Sequence, residues 1–396
     1  VQLSTQVARE TLFGLDLPPG ALDHIVWGTV VSVVRSPNVA REIALDLNLY
    51  SVPGVTVSRA CASGFDAAAY GARLIQCGEA DCVLVGGVDV VSAAPVPHRK
   101  DVIDRLQVAQ KQKGFDLLKT IGGRNPKDLF PEAPSISERY TGKTMGEHAE
   151  DMVKFFGIPR EEQDALALRS HRNAAGARAA GHVAAQIAPV LTKAGPVTED
   201  NLIRDDMDPV KVASLRPVFD RRNGTITAAT ASALTDGASA VLLMRDSRAK
   251  ELGYTPLGYL ESWAFPAIDP RENMLLGNVY STPIALDRAG ATLADLDVVE
   301  IHEAFAAQVI ANLRCFEDAA FCSDKLGRPA ALGAVDRDKL NLWGGSIAYG
   351  HPFAATGGRL ILNTLALLAH VDGELGLATA CAAGGLGAAV VLRRAS

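Results

Sequence analysis

The sequence predicts an α/β protein of two similar halves, the first of which carries a helical insertion. Three observations lead there. Short apolar runs alternate with helical stretches along the chain, the pattern of packed α/β layers. A succession of strand, turn, small-residue helix and strand occurs near the start and again near the end. Between the two, from about Pro95 to Leu191, strand signals nearly vanish.

The elements follow in order. The chain opens on a helical pattern of Leu3, Val7 and Leu12. Residues 25–31 are largely apolar and β-branched, and 83–85, 240–244, 298–301 and 388–392 are alike. Such runs without strict alternation suit strands buried on both faces. Helices are predicted over 64–77, 245–252, 304–313 and 357–368. In the middle, helices are predicted over 147–156 and 160–180. Pro159 sits well at the second one's N-terminus and Gly181 stops it. The first half therefore spans 1–245, with the insertion at 95–200, and the second spans 246–396. The echo between the halves is specific in layout. VTVSRA leads into Cys61, a small-residue helix and a strand ending LVGGVDVV. LNLWGGS leads into Gly350-His351-Pro352, a helix and a strand ending TACAAGGLG.

Bulk properties narrow the class. With 396 residues, 48% of them hydrophobic, the chain can bury a large core. A net charge of −6 lacks the basic surplus of a nucleic-acid binder, and no nucleic-acid partner is expected. Six cysteines without a CxxC pair are too sparse for a disulfide scaffold, so reduced thiols in a cytoplasmic protein are the natural reading. No signal peptide is visible, and no apolar run is long enough to span a bilayer.

Four places carry residues suited to chemistry. Cys61 sits where a strand gives way to a helix. The positive end of the helix dipole and its unpaired N–H groups favour a thiolate there. The same residue reads equally as a buried small hydrophobe. His351, in GGSIAYGHP, is placed to act as a general base toward a thiol, or as a hydrogen-bonding filler of its loop. Cys381 lies in TACAAGGLG, whose small residues allow a tight turn with amides free to hold an oxyanion. A glycine-rich strand connection without chemistry has the same pattern. His302 and Glu303, in IHEAF, stand at a strand-to-helix junction, where α/β proteins place ligands. A packed junction with an acidic first helical turn is the plain alternative.

Taken together, SRACASGFDA, IHEAF, GGSIAYGHPFAATGGR and TACAAGGLG resemble the thiolase family in that order, and the likeness runs over nearly the whole chain. The resemblance implies a duplicated thiolase fold, layered α-β-α-β-α, with a helical loop domain. It implies cleavage of 3-ketoacyl-CoA to acetyl-CoA and a shortened acyl-CoA. In that scheme Cys61 is the acyl-carrying nucleophile and His351 its base. Cys381 is the proton shuttle, and His302 acts with His351 on the thioester oxygen. It further implies a second oxyanion hole from the amides of Cys61 and of Ala383 or Gly384. Ser232, Met145 and Phe305 match positions near the substrate and CoA. Coenzyme A is a substrate, and no metal or redox cofactor is called for. His302 in place of asparagine resembles the subgroup of fatty-acid β-oxidation complexes, which implies a homodimer beside a hydratase/dehydrogenase α subunit in an α2β2 complex. Two departures stand out. Thr230 replaces the family's usual asparagine, and the family's first strand with its Arg-Thr-Pro segment precedes the point where this sequence starts.

Residues 98–127 are rich in lysine and arginine, interleaved with Val102, Ile103, Leu106, Phe115, Leu117 and Leu118. Such a stretch suits a partner protein, an anionic membrane surface or the CoA phosphates, as well as a plain solvated face. Three rival readings remain. One is a ketoacyl-synthase-like condensing enzyme using Cys61, His302 and His351, against which Cys381 argues. The second is a biosynthetic acetoacetyl-CoA thiolase. The third is a non-catalytic scaffold or lipid carrier, against which the four filled positions argue.

Overall fold

A computed structural model of the chain describes residues 1–32, 34–96, 98–111, 113 and 137–395. Among them the strands are β1 (His24–Gly28), β2 (Gly54–Val57), β3 (Cys82–Asp89), β4 (Val190–Thr192), β5 (Gly195–Val197), β6 (Gly237–Met244), β7 (Gly258–Ala264), β8 (Val298–Ile301), β9 (Leu375–Ala382) and β10 (Leu386–Arg394).

Two four-stranded sheets carry the fold, ordered β2-β1-β3-β6 and β7-β10-β9-β8. Their directions match. β1 and β3 are parallel and β6 runs antiparallel to β3. In the second sheet β8 and β9 are parallel and β10 runs antiparallel to β9. Leu340 bridges Val299 of β8 in parallel, in the place that β2 takes beside β1. The repeated pattern read from the sequence is thus a repeat of topology.

Helix Ser63–Gln76 follows β2, and helix Ala355–His370 follows the Leu340 bridge. These two form the middle layer. The second is buried nearly all round and touches strands of both sheets, as an apolar-faced helix between two sheets must. Their contact depends on missing side chains: a Cβ on Gly64 would stand 2.4 Å from the Ala354 carbonyl, and one on Gly357 would stand 2.4 Å from the Phe65 nitrogen. Helices Gln2–Gly14 and Val39–Asp46 cover the outer face of the first sheet, and Gly277–Ala289 covers that of the second.

Several boundaries differ from the predicted ones for visible reasons. The strand expected over 25–31 stops at Gly28 because the Asp89 carboxylate, rather than a neighbouring strand, accepts from the N–H groups of Val30 and Val31. The helix expected from 304 begins at Ala306. The Ala304 N–H is taken by the Gln308 side chain and the Ala306 N–H by the Thr230 carbonyl. The insertion contains helices Lys100–Ala109, Met145–Phe156 and Arg160–Ala179. Thr144 and Glu147 form a capping box on the second, a device that satisfies two orphan N–H donors. Pro159 is the N-cap of the third. The short β4–β5 hairpin in this region was not anticipated. Residues 114–127 of the basic stretch lie outside the described residues. In its described part Ile103, Leu106 and Val108 are exposed. No helix of the described residues is long and apolar enough to cross a membrane.

Candidate active site

Cys61 precedes helix Ser63–Gln76, and His351 precedes helix Ala355–His370. The two helices meet at Gly64 and Ala354–Gly358, which brings both entry loops to one place between the sheets. Asp89 ties the segment after β1 to the loop that precedes helix Ala355–His370. Its carboxylate accepts from Val30, Val31 and Thr29 on one side and from the Ala354 N–H, 2.9 Å away, on the other. Burial raises its pKa above the usual carboxylate value, and these donors oppose the rise.

The Cys61 thiol is pushed up to about 11, chiefly by burial, while amide N–H groups of Ala383 and of Cys61 itself pull the other way. Those two amides therefore favour the thiolate at this sulfur. Ala383 opens the turn between β9 and β10, where Gly384 and Gly385 hold positive φ of 80° and 70°. A left-handed pair of this kind suits glycine. A Cβ on Gly385 would also strike the Ile268 carbonyl at 2.3 Å. Cys381, on β9, is buried, and its thiol is raised well above the ordinary range by burial first and then by the charge of Cys61.

The rings of His302 and His351 lie with centroids 4.1 Å apart, tilted at 42° to each other, and both are buried. The backbone N–H of His302 is bonded to Thr379, two residues before Cys381. The Nδ1 of His302 contacts the Ser346 hydroxyl at 2.7 Å, and the Nδ1 of His351 contacts the Thr356 hydroxyl at 2.7 Å. Both Nε2 atoms are buried and have no partner among the described residues. Burial depresses both imidazoles, and the nearby charges of His351 and Arg359 add to this at His302. His351 falls to about 3, with Arg359 again contributing. With the thiol near 11 and the imidazole near 3, the resting site holds a thiol and a neutral ring, not an ion pair. Inactivation by iodoacetamide should therefore rise about tenfold per pH unit from pH 8 to 10. A plateau near the ordinary thiol pKa would contradict the burial.

Glu303 braces this arrangement. Its carboxylate accepts from Ser170, Asn341 and the Ile347 N–H, tying the insertion and the loop before His351 to the end of β8. Thr230 closes its own loop. Its hydroxyl accepts from the Thr227 N–H at 2.9 Å, and its carbonyl accepts from Ala306. The loop is thus held without the family's asparagine. Ser232 donates its N–H and hydroxyl to the Ala304 carbonyl, beside Phe305. Met145 begins helix Met145–Phe156 and packs against the core cluster that contains Phe305. Sequence reading missed Phe219. Its ring meets Phe305 edge-on at 5.8 Å and fills the space where a Cβ on Gly146 would fall. Which side chain of residues 215–220 faces Phe305 is a matter of tertiary placement, which local sequence does not signal. A cleft of about 470 Å³ on the surface beside Phe219 contains none of Cys61, His302, His351 or Cys381, and its Lys143 and Lys154 are already paired with Asp151 and Asp220. It takes no part in this chemistry.

Residues 1–247 match the family model described as thiolase, N-terminal domain, and residues 254–394 match thiolase, C-terminal domain. The chain belongs to the thiolase family. Among the relatives of this thiolase, a 3-ketoacyl-CoA thiolase of Aeromonas salmonicida is 49% identical, and one of Erwinia tasmaniensis is 48% identical. Each match covers 99% of this chain and 91% of the relative. Human mitochondrial 3-ketoacyl-CoA thiolase superposes with a TM-score of 0.84 at 28% identity, over 100% of this chain and 92% of the other. The thiolase fold and acyltransferase class expected from the motifs are therefore correct.

Proposed function

We infer that this thiolase cleaves 3-ketoacyl-CoA with CoA, releasing acetyl-CoA and an acyl-CoA shortened by two carbons, with Cys61 as the acyl carrier. The observation that carries the reading is the pair of buried imidazoles, His302 and His351, 4.1 Å apart with both Nε2 atoms unpartnered among the described residues, the second of them in the loop whose helix packs against the helix that Cys61 precedes. Close identity to relatives named 3-ketoacyl-CoA thiolase supports the substrate class.

The steps follow from the groups present. His351 Nε2 takes the Cys61 proton as the sulfur attacks the 3-keto carbon. The amides of Cys61 and Ala383 hold the resulting alkoxide. The C2–C3 bond then breaks, and its electron pair forms the enolate of acetyl-CoA. That enolate oxygen is held by the Nε2 atoms of His302 and of protonated His351, and Cys381 protonates C2. CoA enters and gives its thiol proton to the Cys381 thiolate. Its sulfur attacks the acyl-Cys61 thioester, Cys61 leaves, and His351 returns the proton. The scheme uses no metal or redox cofactor, and coenzyme A serves as a substrate.

Mixing the protein with a 3-ketoacyl-CoA and CoA should give CoA-dependent loss of the ketoacyl absorbance and an equal amount of acetyl-CoA. No CoA-dependent loss at any chain length would overturn the reading. The reverse, biosynthetic direction uses the same groups, and the likeness to an acetyl-CoA acetyltransferase of Bacillus anthracis (TM-score 0.82) favours it as the second reading. The working assembly is a cytoplasmic homodimer. The described part of the basic stretch, 98–111, then faces an α subunit or an anionic membrane, a reading supported by the exposed Ile103, Leu106 and Val108.

A further inference from the structure

His302 and His351 are the same chemical group, 4.1 Å apart, yet the reaction proposed above asks opposite things of them. His351 must offer a lone pair at Nε2 to take a proton. His302 must offer a hydrogen at Nε2 to hold an oxygen. A neutral imidazole can do either, depending on which nitrogen carries its proton, and the partner at Nδ1 decides.

At His302 that partner is determinate. Ser346 Oγ lies 2.7 Å from His302 Nδ1 and 2.7 Å from an Arg359 Nη2. A guanidinium only donates and does not lose its charge, so Ser346 accepts from Arg359. Among the described residues no other acceptor lies within hydrogen-bond distance of the Ser346 hydroxyl. Its single hydrogen therefore points to His302 Nδ1, which leaves the ring proton on Nε2. That nitrogen is fully buried and has no partner among the described residues, as a donor reserved for a bound oxygen would be. Arg359 is itself held in place, stacked over Tyr349 with its guanidinium carbon 5.3 Å from the ring centroid. It also lies beside the buried Glu300 carboxyl, two residues before His302 on β8.

We propose that Ser346, oriented by Arg359, is a positioning residue that fixes the tautomer of His302, so that Nε2 always presents a hydrogen to the reacting oxygen. The pair acts through His302 and does not touch substrate. The need for that hydrogen rests on the proposed reaction, whereas the tautomer itself does not.

The test separates the two. Ring-nitrogen shifts of protein labelled with ¹⁵N-histidine tell protonated from unprotonated nitrogens, and a His302→Asn variant identifies the His302 signals by their loss. In the substrate-free wild type, His302 should show an unprotonated Nδ1 and a protonated Nε2. In Ser346→Ala, which removes one oxygen, this pattern should give way to a mixture or to its inverse. The kcat of that variant should drop about tenfold with little change in KM, since the weakened contact is made to the reacting oxygen. An unprotonated Nε2 in the wild type would overturn the proposal, and so would an unchanged pattern in Ser346→Ala. Absent thiolysis with the expected tautomer intact would instead count against the proposed reaction alone.

Discussion

Cys61→Ser should lower thiolysis by about 10⁴-fold or more while leaving the protein folded. Two chemical reasons act together. A serine hydroxyl is far harder to ionise than the thiol, and His351, depressed to about 3, is a weak base in the resting site. The ester that serine would form is also a poor acyl donor to CoA, because an alkoxide leaves less readily than a thiolate. The oxyanion amides remain in place, so binding is preserved while chemistry is lost. Intact-protein mass after exposure to 3-ketoacyl-CoA without CoA checks the point directly. The wild type should gain one acyl group and the variant none. Turnover within tenfold of wild type, or an acyl group recovered on Cys381, would remove Cys61 from its role.

Acid should destabilise the fold well above the usual carboxylate range. His302 and His351 are buried and neutral, with pKa values pushed below that of the unfolded chain. His148 and His171 shift the same way, also through burial. Below about pH 6.5 the unfolded chain binds protons that the folded one refuses, so stability falls as pH falls. For His351 the loss continues down to about 3. Each such histidine contributes up to about 1.4 kcal/mol per pH unit across its window. Glu300 acts in the opposite sense. Burial raises it to about 8, so between its unfolded value and 8 the folded state holds the extra proton and stability falls as pH rises. Asp89, Glu150, Asp200 and Glu303 are raised by burial as well and act with Glu300, so the histidine contribution is isolated by comparing variants rather than by the position of the maximum. Urea denaturation at pH 5.5, 6.5 and 7.5 measures this. His302→Asn, which does not titrate, should lessen the fall between pH 6.5 and 5.5 by about 1 kcal/mol relative to wild type. Equal acid slopes in the two proteins would mean that His302 is not held neutral by the fold.

What the sequence made legible was local. Cys61, His351 and Cys381 each sit in a short run of small residues at a strand or helix end, a signal that needs no partner to be read. The repeat of the two halves was visible because strand, turn, helix and strand recur in the same order. Contacts between distant segments left no such trace. Ser346 and Arg359 gain meaning only when the loop before His351 folds against the end of β8. The early stop of β1 depends on a carboxylate at the end of β3. Phe219 points at Phe305 only because the insertion packs Gly146 beneath its ring. Residue type and spacing predict elements and ends of elements, and the facing of side chains across layers follows from packing.

The turn that carries the Ala383 amide lies more than 300 residues beyond Cys61 in the chain, so it is synthesised well after the cysteine it acts on. Until it arrives, Cys61 is an ordinary nascent thiol in water, ionised near pH 8.5 or so and open to any electrophile it meets. Completion of the fold buries that sulfur and raises it to about 11, quenching its indiscriminate reactivity. The same closure supplies the amides that restore reactivity toward a carbonyl bound between them. Maturation of this chain therefore exchanges a generally reactive group for a selectively reactive one, and the exchange waits until the β9–β10 hairpin has docked.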